Sequence, residues 1–220
     1  MKPLFFTEKT FGFLEQLSAN NNRTWFNDHK AEYEKLVRNP ALRFIDEVRP
    51  HILEQSPHFT ARSKKTGGAL MRVYRDIRFS HDKTPYKTNI GIQFRHRVAK
   101  DAHAPKFYLN ISPHTCYLGA GAWRPHSAAL SKIREMISDN PGAWKKITTD
   151  KTCCQHFQLA GESLKTYPMI HDLKRKDFIA IHPLNRDDIL NGHLIDTLVS
   201  RYKETNDFMD YLCTALDLPY

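Results

Sequence analysis

The sequence predicts an α+β protein: an antiparallel sheet of about four or more strands, packed by N- and C-terminal helices in a single domain. Two changes of hydrophobic period carry this prediction. Both ends of the chain space their apolar residues three and four apart, as a helix with one buried face does. The middle alternates apolar and polar residues, as half-buried strands do. The third observation is size. With 220 residues and 40% apolar content the chain can bury a substantial core, and no repeat, low-complexity tract or long linker divides it.

The N-terminal helices occupy about residues 7–55. Residues 7–19 set Phe11, Leu14 and Leu17 on one helical face. Asn20-Asn21-Asn22 interrupts that pattern and supplies a cap for the next helix. This second helix is expected from about Arg23 to Arg38, with Trp25, Phe26, His29, Tyr33, Leu36 and Val37 near one stripe. Asn39-Pro40 closes it, and Pro40 suits the first turn of a third helix. Leu42, Ile45, Val48 and Ile52 form the buried side of that helix, and Pro50 should kink it or end it early.

The central sheet is expected over about residues 69–121. Residues 89–98 alternate Ile90, Ile92, Phe94 and Val98 with Asn89, Gly91, Gln93, Arg95 and Arg97. Residues 106–111 set Phe107, Leu109 and Ile111 against Lys106, Tyr108 and Asn110. Residues 115–121 set Cys116, Leu118 and Ala120 against Thr115, Tyr117, Gly119 and Gly121. Ser112-Pro113-His114 reads as the short loop joining the last two strands. Residues 69–79 fit a helical stripe of Leu70, Val73, Tyr74 and Ile77 as well as a strand with Met71, Val73, Ile77 and Phe79 facing the core. Their β-branched and aromatic content and the preceding Gly67-Gly68 favour the strand.

The C-terminal helical part covers about residues 125–217. Pro125 opens a helix through Ala129, Ile133 and Ile137 that Asn140-Pro141-Gly142 ends. Residues 177–182 read as an isolated strand stopped by Pro183. A long last helix over roughly 194–216 carries Leu198, Tyr202, Phe208, Leu212 and Leu216.

Composition excludes several classes. No run approaches the ~18 apolar residues of a membrane span, and the apolar run near the N-terminus, Leu4-Phe5-Phe6, falls short of a signal-peptide core of ~7–15 residues. The four cysteines, Cys116, Cys153, Cys154 and Cys213, are too few and too scattered for a disulfide framework. A cytoplasmic location with reduced thiols and no membrane association is therefore expected. No metal is expected either, because Cys153-Cys154-x-His156 lacks the second half of a zinc site. No cofactor is expected, since neither a dinucleotide fingerprint nor a phosphate-loop lysine motif occurs.

The formal charge of +9 is concentrated. Residues 62–100 hold eleven basic side chains and two acids, Asp76 and Asp82, whereas the rest of the chain is balanced. A focused positive field attracts phosphates, carboxylates or a nucleic acid backbone. On the strand reading, the polar sides of the sheet present Arg72, Tyr74, Asp76 and Arg78, then Asn89, Gln93 and Arg95, then Tyr108 and Asn110, then Tyr117 beside Gly119 and Gly121. Guanidinium forks suit bidentate oxyanion binding, Tyr and Asn add neutral donors, and glycine lets a ligand approach the backbone. The candidate ligand-binding residues are Arg72, Arg75, Arg78, Lys83, Tyr86, Lys87, Tyr108, Asn110 and Trp123, with Asp76 the candidate catalytic base. The arginines of 72–78 are expected to meet around one hollow. Ser80-His81-Asp82 is not read as a nucleophilic triad, whose members normally converge from distant positions.

Three motifs resemble a known family. Arg72-x-x-Arg75-Asp76-x-Arg78-Phe79-Ser80-x-Asp82-Lys83-x-Pro85-Tyr86-Lys87 is similar to the central signature of the domain of unknown function 2461 family. Asn21-Asn22-x-x-Trp25-Phe26-x-x-His29-Lys30-x-x-Tyr33 resembles its N-terminal signature, and Gly119-x-Gly121-x-Trp123-x-Pro125 its third. The resemblance runs over nearly the whole chain. It implies one full-length domain in which the N-terminal helices, the basic loop and the Gly-x-Gly-x-Trp turn form a single unit. It transfers no catalytic residue.

The reading these residues support best is a pocket for a small anionic ligand, with phosphorylated compounds among the candidates, and with Asp76 as base if a reaction is catalysed. The alternatives are a nucleic-acid-binding module, favoured by charge but lacking any recognised motif, and a non-catalytic protein-interaction domain whose basic segment docks an acidic partner.

Overall fold

The computed structural model describes residues 3–98, 104–160 and 172–220. At the N-terminus, helix α1 (Glu8–Ala19) turns Phe11, Phe13, Leu14 and Leu17 inward. Asn22 caps α2 (Arg23–Asp28) by accepting a hydrogen bond from the Trp25 N–H at 3.0 Å. The single helix expected from Arg23 to Arg38 is broken at His29. It continues as α3 (Lys30–Tyr33) and a π-helical turn (Glu34–Arg38) that runs directly into α4 (Asn39–Gln55). Pro40 sits in the first turn of α4, where its missing N–H costs nothing. Pro50 lies inside α4 without ending it, and Ile52, one turn beyond α4's Val48, is still buried.

Among the described residues six strands form one antiparallel sheet: β1 (Phe59–Thr60), β2 (Ile90–His96), β3 (Lys106–Ile111), β4 (Cys116–Ala122), β5 (Gln158–Ala160) and β6 (Phe178–Leu184), in the order β1-β2-β3-β4-β6-β5. Residues 69–79 do not form the expected strand. Residues 69–71 run beside β2 past the end of β1, with the Gln93 N–H donating to Ala69 O and the Met71 N–H to Gly91 O, each at 2.9 Å. The chain then leaves the sheet. Residues 73–75 pair with 85–87, the Arg75 N–H donating to Pro85 O at 2.9 Å and the Lys87 N–H to Val73 O at 2.7 Å. The result is an irregular hairpin hung from the sheet edge. Its turn is set by side chains bonding to nearby backbone, which competes with strand pairing: Asp76 accepts from the Arg78 N–H and Asp82 from the Thr84 N–H.

The C-terminal part departs from expectation at three points. Helix α5 (Ser127–Asp139) begins after Pro125, as read, but Pro141 then opens α6 (Pro141–Thr148) rather than only ending its predecessor. After α7 (Lys151–His156) and β5, strand β6 is not isolated, because it lies between β4 and β5. It runs through Pro183 to Leu184; the pairing with β5 reaches no further than Ile181, so Pro183 lies where one side of the strand is unpaired and a proline is tolerated. Past α8 (Arg186–Leu190), the long last helix is two, α9 (Leu194–Glu204) and α10 (Asn206–Ala215), separated at the buried Thr205, whose hydroxyl donates to Tyr202 O at 2.8 Å.

Alternation gives the sheet two unlike faces. Ile90, Ile92, Phe94, Phe107, Leu109, Ile111 and Leu118 are buried with the N-terminal helices and α9 in the larger apolar cluster. Ala122 and Phe178 join Trp144, Ile133 and Leu212 in a smaller one beneath α5, α6 and α10. The opposite face carries three cross-strand rows: Gly91–Asn110–Tyr117–Pro183, Gln93–Tyr108–Gly119–Ile181 and Arg95–Lys106–Gly121–Ile179.

Candidate functional site

Those rows, apart from Gly91 and Pro183 at the ends of the first, are the floor of a cavity of about 850 Å³. One wall is the edge hairpin, through Met71, Arg75, Asp76 and Lys87. The opposite wall is the turn after β4, through Trp123 and Arg124, together with Asp177. A smaller polar cavity of about 380 Å³ adjoins it between α1 and the hairpin, lined among others by Ser18, Asn21, Asp82 and Thr84; Arg75, Lys87 and Asn89 face both spaces.

Glycine shapes the floor. Gly121 has φ +131, and a Cβ there would lie 2.0 Å from the Phe178 carbonyl oxygen, so β4 can approach β6 only with glycine at this position. Gly119 differs. A Cβ there would make only ordinary contacts, with the Tyr108 Cβ at 3.7 Å, Ile179 at 3.9 Å and the Ala180 carbonyl oxygen at 4.0 Å, so its bareness leaves open floor rather than relieving a clash. Gly121 leads into Trp123 and Arg124, whose backbone is left-handed at φ 48. The Arg124 N–H donates to Asp177 Oδ1 at 2.5 Å, and its guanidinium lies 5.5 Å from the Trp123 ring centre.

Beside Arg95 and Lys106 the floor carries neutral donors, Tyr108, Tyr117 and Asn110. Burial, reinforced by neighbouring Tyr117, pushes the Tyr108 phenol up to about 12, against a smaller opposing effect of the Asn89 side chain. Burial raises Tyr117 as well. Asn110 is engaged structurally. Its amide donates to Thr115 O at 2.8 Å, closing the β3–β4 hairpin, and its oxygen accepts from Asn89 at 2.7 Å.

The cations divide into paired and unpaired sets. Arg78, itself exposed, grips the cavity-lining Asp76 through Nε at 2.9 Å and Nη2 at 2.7 Å. Arg75 donates to Asp82 and Thr84. Both carboxyls are held near 2 as a result: Asp76 chiefly by the Arg78 side chain, Asp82 first by the Thr84 N–H and then by Arg75. Lys87 and Arg95 are half-buried, and among the described residues no carboxylate pairs with either. The register sets Arg95 directly opposite Lys106.

Of the sequence candidates, Arg75, Asp76, Lys87, Tyr108, Asn110 and Trp123 therefore line the main cavity. The expectation that the arginines of 72–78 meet around one hollow is corrected. Arg72 is exposed, Arg78 is committed to Asp76, and only Arg75 reaches the cavity, because the segment is an irregular hairpin and not a strand presenting one face. Lys83 points outward, its Nζ donating to Ile77 O at 3.1 Å. Tyr86 is buried and stacks on Phe26 at 4.0 Å, and its backbone makes two bonds with the Asn21 side chain, at 2.9 and 3.0 Å. It joins the hairpin to α2, while also edging the smaller cavity. Asp76 is a poor general base, since a base active near neutrality needs a pKa near that pH. Lys106, Arg124, Asp177, Ile179 and Ile181 line the cavity without having been singled out as ligand contacts. The polar side of 106–111 pointed to Lys106, but reading 177–182 as isolated hid the two isoleucines.

The N-terminal signature thus packs on the central one through Asn21, Phe26 and Tyr86, and the third frames the cavity through Gly119, Gly121 and Trp123. A family model described as conserved hypothetical protein (DUF2461) matches residues 9–211, nearly the whole chain. The chain belongs to the DUF2461 family. No curated protein and no solved structure matches it. Among the described residues of this DUF2461 protein, no three His, Cys, Asp or Glu side chains are grouped to hold a metal ion, and no helix is long and apolar enough to cross a membrane.

Proposed function

We propose that the cavity on the open face of the sheet binds a small anionic ligand of the phosphorylated type. The observation that carries this reading is the charge of the lining: Arg75, Lys87, Arg95, Lys106 and Arg124 against Asp76 and Asp177, on a floor bared by glycine. An anion near Arg95, with which no carboxylate pairs among the described residues, accepts charge-assisted bonds. Tyr108 and Tyr117 remain protonated donors. Ile179, Ile181 and Trp123 offer an apolar seat for the rest of the molecule.

The test is thermal unfolding against a panel of phosphorylated metabolites, with inorganic phosphate and pyrophosphate included. A ligand at a hundredfold excess over Kd stabilises by about 2.7 kcal/mol, or roughly 5–10 °C for a chain of this size. The shift should disappear in Arg95→Ala. No shift from any anion would overturn the reading.

A second reading has its own observation. Phe79 is 96% exposed at the hairpin turn, between Arg78 and the exposed Lys83. An aromatic among cations suits single-stranded nucleic acid. Binding that weakens steeply with salt and is lost in Phe79→Ala would favour it.

A further inference from the structure

Lys87 stands apart from the other basic groups of the hairpin. Its side chain is half-buried and borders both cavities. The two carboxylates nearest in sequence are already taken, Asp76 by Arg78 and Asp82 by Arg75 and Thr84. Among the described residues no carboxylate pairs with it. Its backbone is fixed by the bond from its N–H to Val73 O at 2.7 Å, so the side chain leaves from a defined point. Cationic Arg75 shares both of its cavities.

An amine placed in this way, out of full solvent contact and beside other cations, is the recognised setting for a nucleophilic lysine. We propose that Lys87 is the nucleophile toward a carbonyl ligand: its Nζ condenses with the aldehyde or ketone of an anionic compound seated in the cavity to form an imine. The proposal rests on the cavity being the anion site.

The step balances without an outside reagent. The Nζ lone pair forms a bond to the carbonyl carbon, the C–O π pair moves to oxygen, and a carbinolamine results. Two protons leave nitrogen, the oxygen departs as water, and a C=N bond remains. No oxidant or reductant is involved. The amine must be neutral to attack, and burial, followed by the charge of Arg72, lowers the Lys87 ammonium from its ordinary value.

The experiment uses the full chain at neutral pH with sodium cyanoborohydride to fix any imine, followed by peptide mapping. Acetaldehyde, a neutral probe, should label Lys87 several-fold faster than exposed Lys83, because a half-buried amine sharing its cavities with Arg75 is more readily neutral. Pyridoxal 5′-phosphate, an anionic aldehyde, should label it faster still. Lys87→Arg, with an unchanged circular dichroism spectrum, should remove the labelled peptide. Pyridoxine 5′-phosphate carries the anion but no carbonyl, and should raise the melting temperature. Stabilisation by pyridoxine 5′-phosphate with Lys87 labelled no faster than Lys83 overturns the nucleophile and leaves the anion site. Fast labelling by acetaldehyde with no stabilisation by any anion overturns the anionic carbonyl ligand and the site reading together, leaving only an activated amine. Failure of both arms overturns both.

Discussion

Asp82 shows how little of the hairpin's charge is free. The Thr84 N–H and Arg75 hold its carboxyl near 2, against about 3.9 for an unfolded aspartate. A carboxyl with a depressed folded-state pKa contributes stability that is complete above its unfolded value and disappears as pH falls through its folded one. Stability should therefore fall between about pH 4 and pH 2, and Asp82→Asn should flatten the Asp82 part of that fall, as read from urea midpoints across the range. The side chain is exposed, so its contribution is modest. The two floor glycines predict opposite outcomes. Gly121→Ala forces a side chain into a left-handed φ and against the Phe178 carbonyl, and should cost about 3 kcal/mol or more in chemical denaturation. Gly119→Leu meets only ordinary contacts at its Cβ, and glycine is in any case a weak strand residue. It should leave stability within about 1 kcal/mol while abolishing any ligand-induced thermal shift, because its side chain fills the floor.

The hairpin of residues 71–87 depends on a few anchors, and Asn21 is the most local. Its side-chain amide both donates to and accepts from the Tyr86 backbone, standing in for a strand neighbour. Asn21→Ala removes both bonds and should cost about 1–3 kcal/mol. The Tyr86 amide should also exchange faster with deuterium than in the parent protein, since its acceptor is gone. The same hairpin marks where sequence reading fell short. The strands β2, β3 and β4 were legible because each has one buried face, which writes a period of two into the chain. Residues 69–79 were not, because their partners lie at 85–87 and 91–93 and their turn is set by Asp76 and Asp82 bonding locally. Strands β1 and β5 are two and three residues long, too short to show a period. The break between α9 and α10 was hidden because Tyr202 and Phe208 are buried on either side of Thr205, so the apolar spacing runs across it.

Taken whole, the molecule uses the sheet as a partition. Helices and most of the apolar core lie on one side and the cavity on the other, and Tyr202 connects the two through its hydroxyl, which donates to Tyr108 O at 2.8 Å while its ring packs on Phe107. Tyr202→Phe should keep the fold and lower stability by about 1–2 kcal/mol, checked by thermal and urea unfolding together. This division also explains what of the site could be read in advance. The floor follows from alternation, so Gln93, Arg95, Tyr108, Asn110, Tyr117, Gly119 and Gly121 were visible as one face. The walls come from turns and from the partnering of charges, so the number of arginines in 72–78 said little about how many reach the hollow.

The wall built from Arg75 and Lys87 is held on its other side by Asn21 and Phe26. A guest seated against those two cations and the grip of α2 would therefore stabilise the same stretch of chain, and by reciprocity each must strengthen the other. The affinity for such a guest would depend partly on an asparagine facing the neighbouring hollow, and substitutions in α2 would weaken it without altering the floor on which the guest lies.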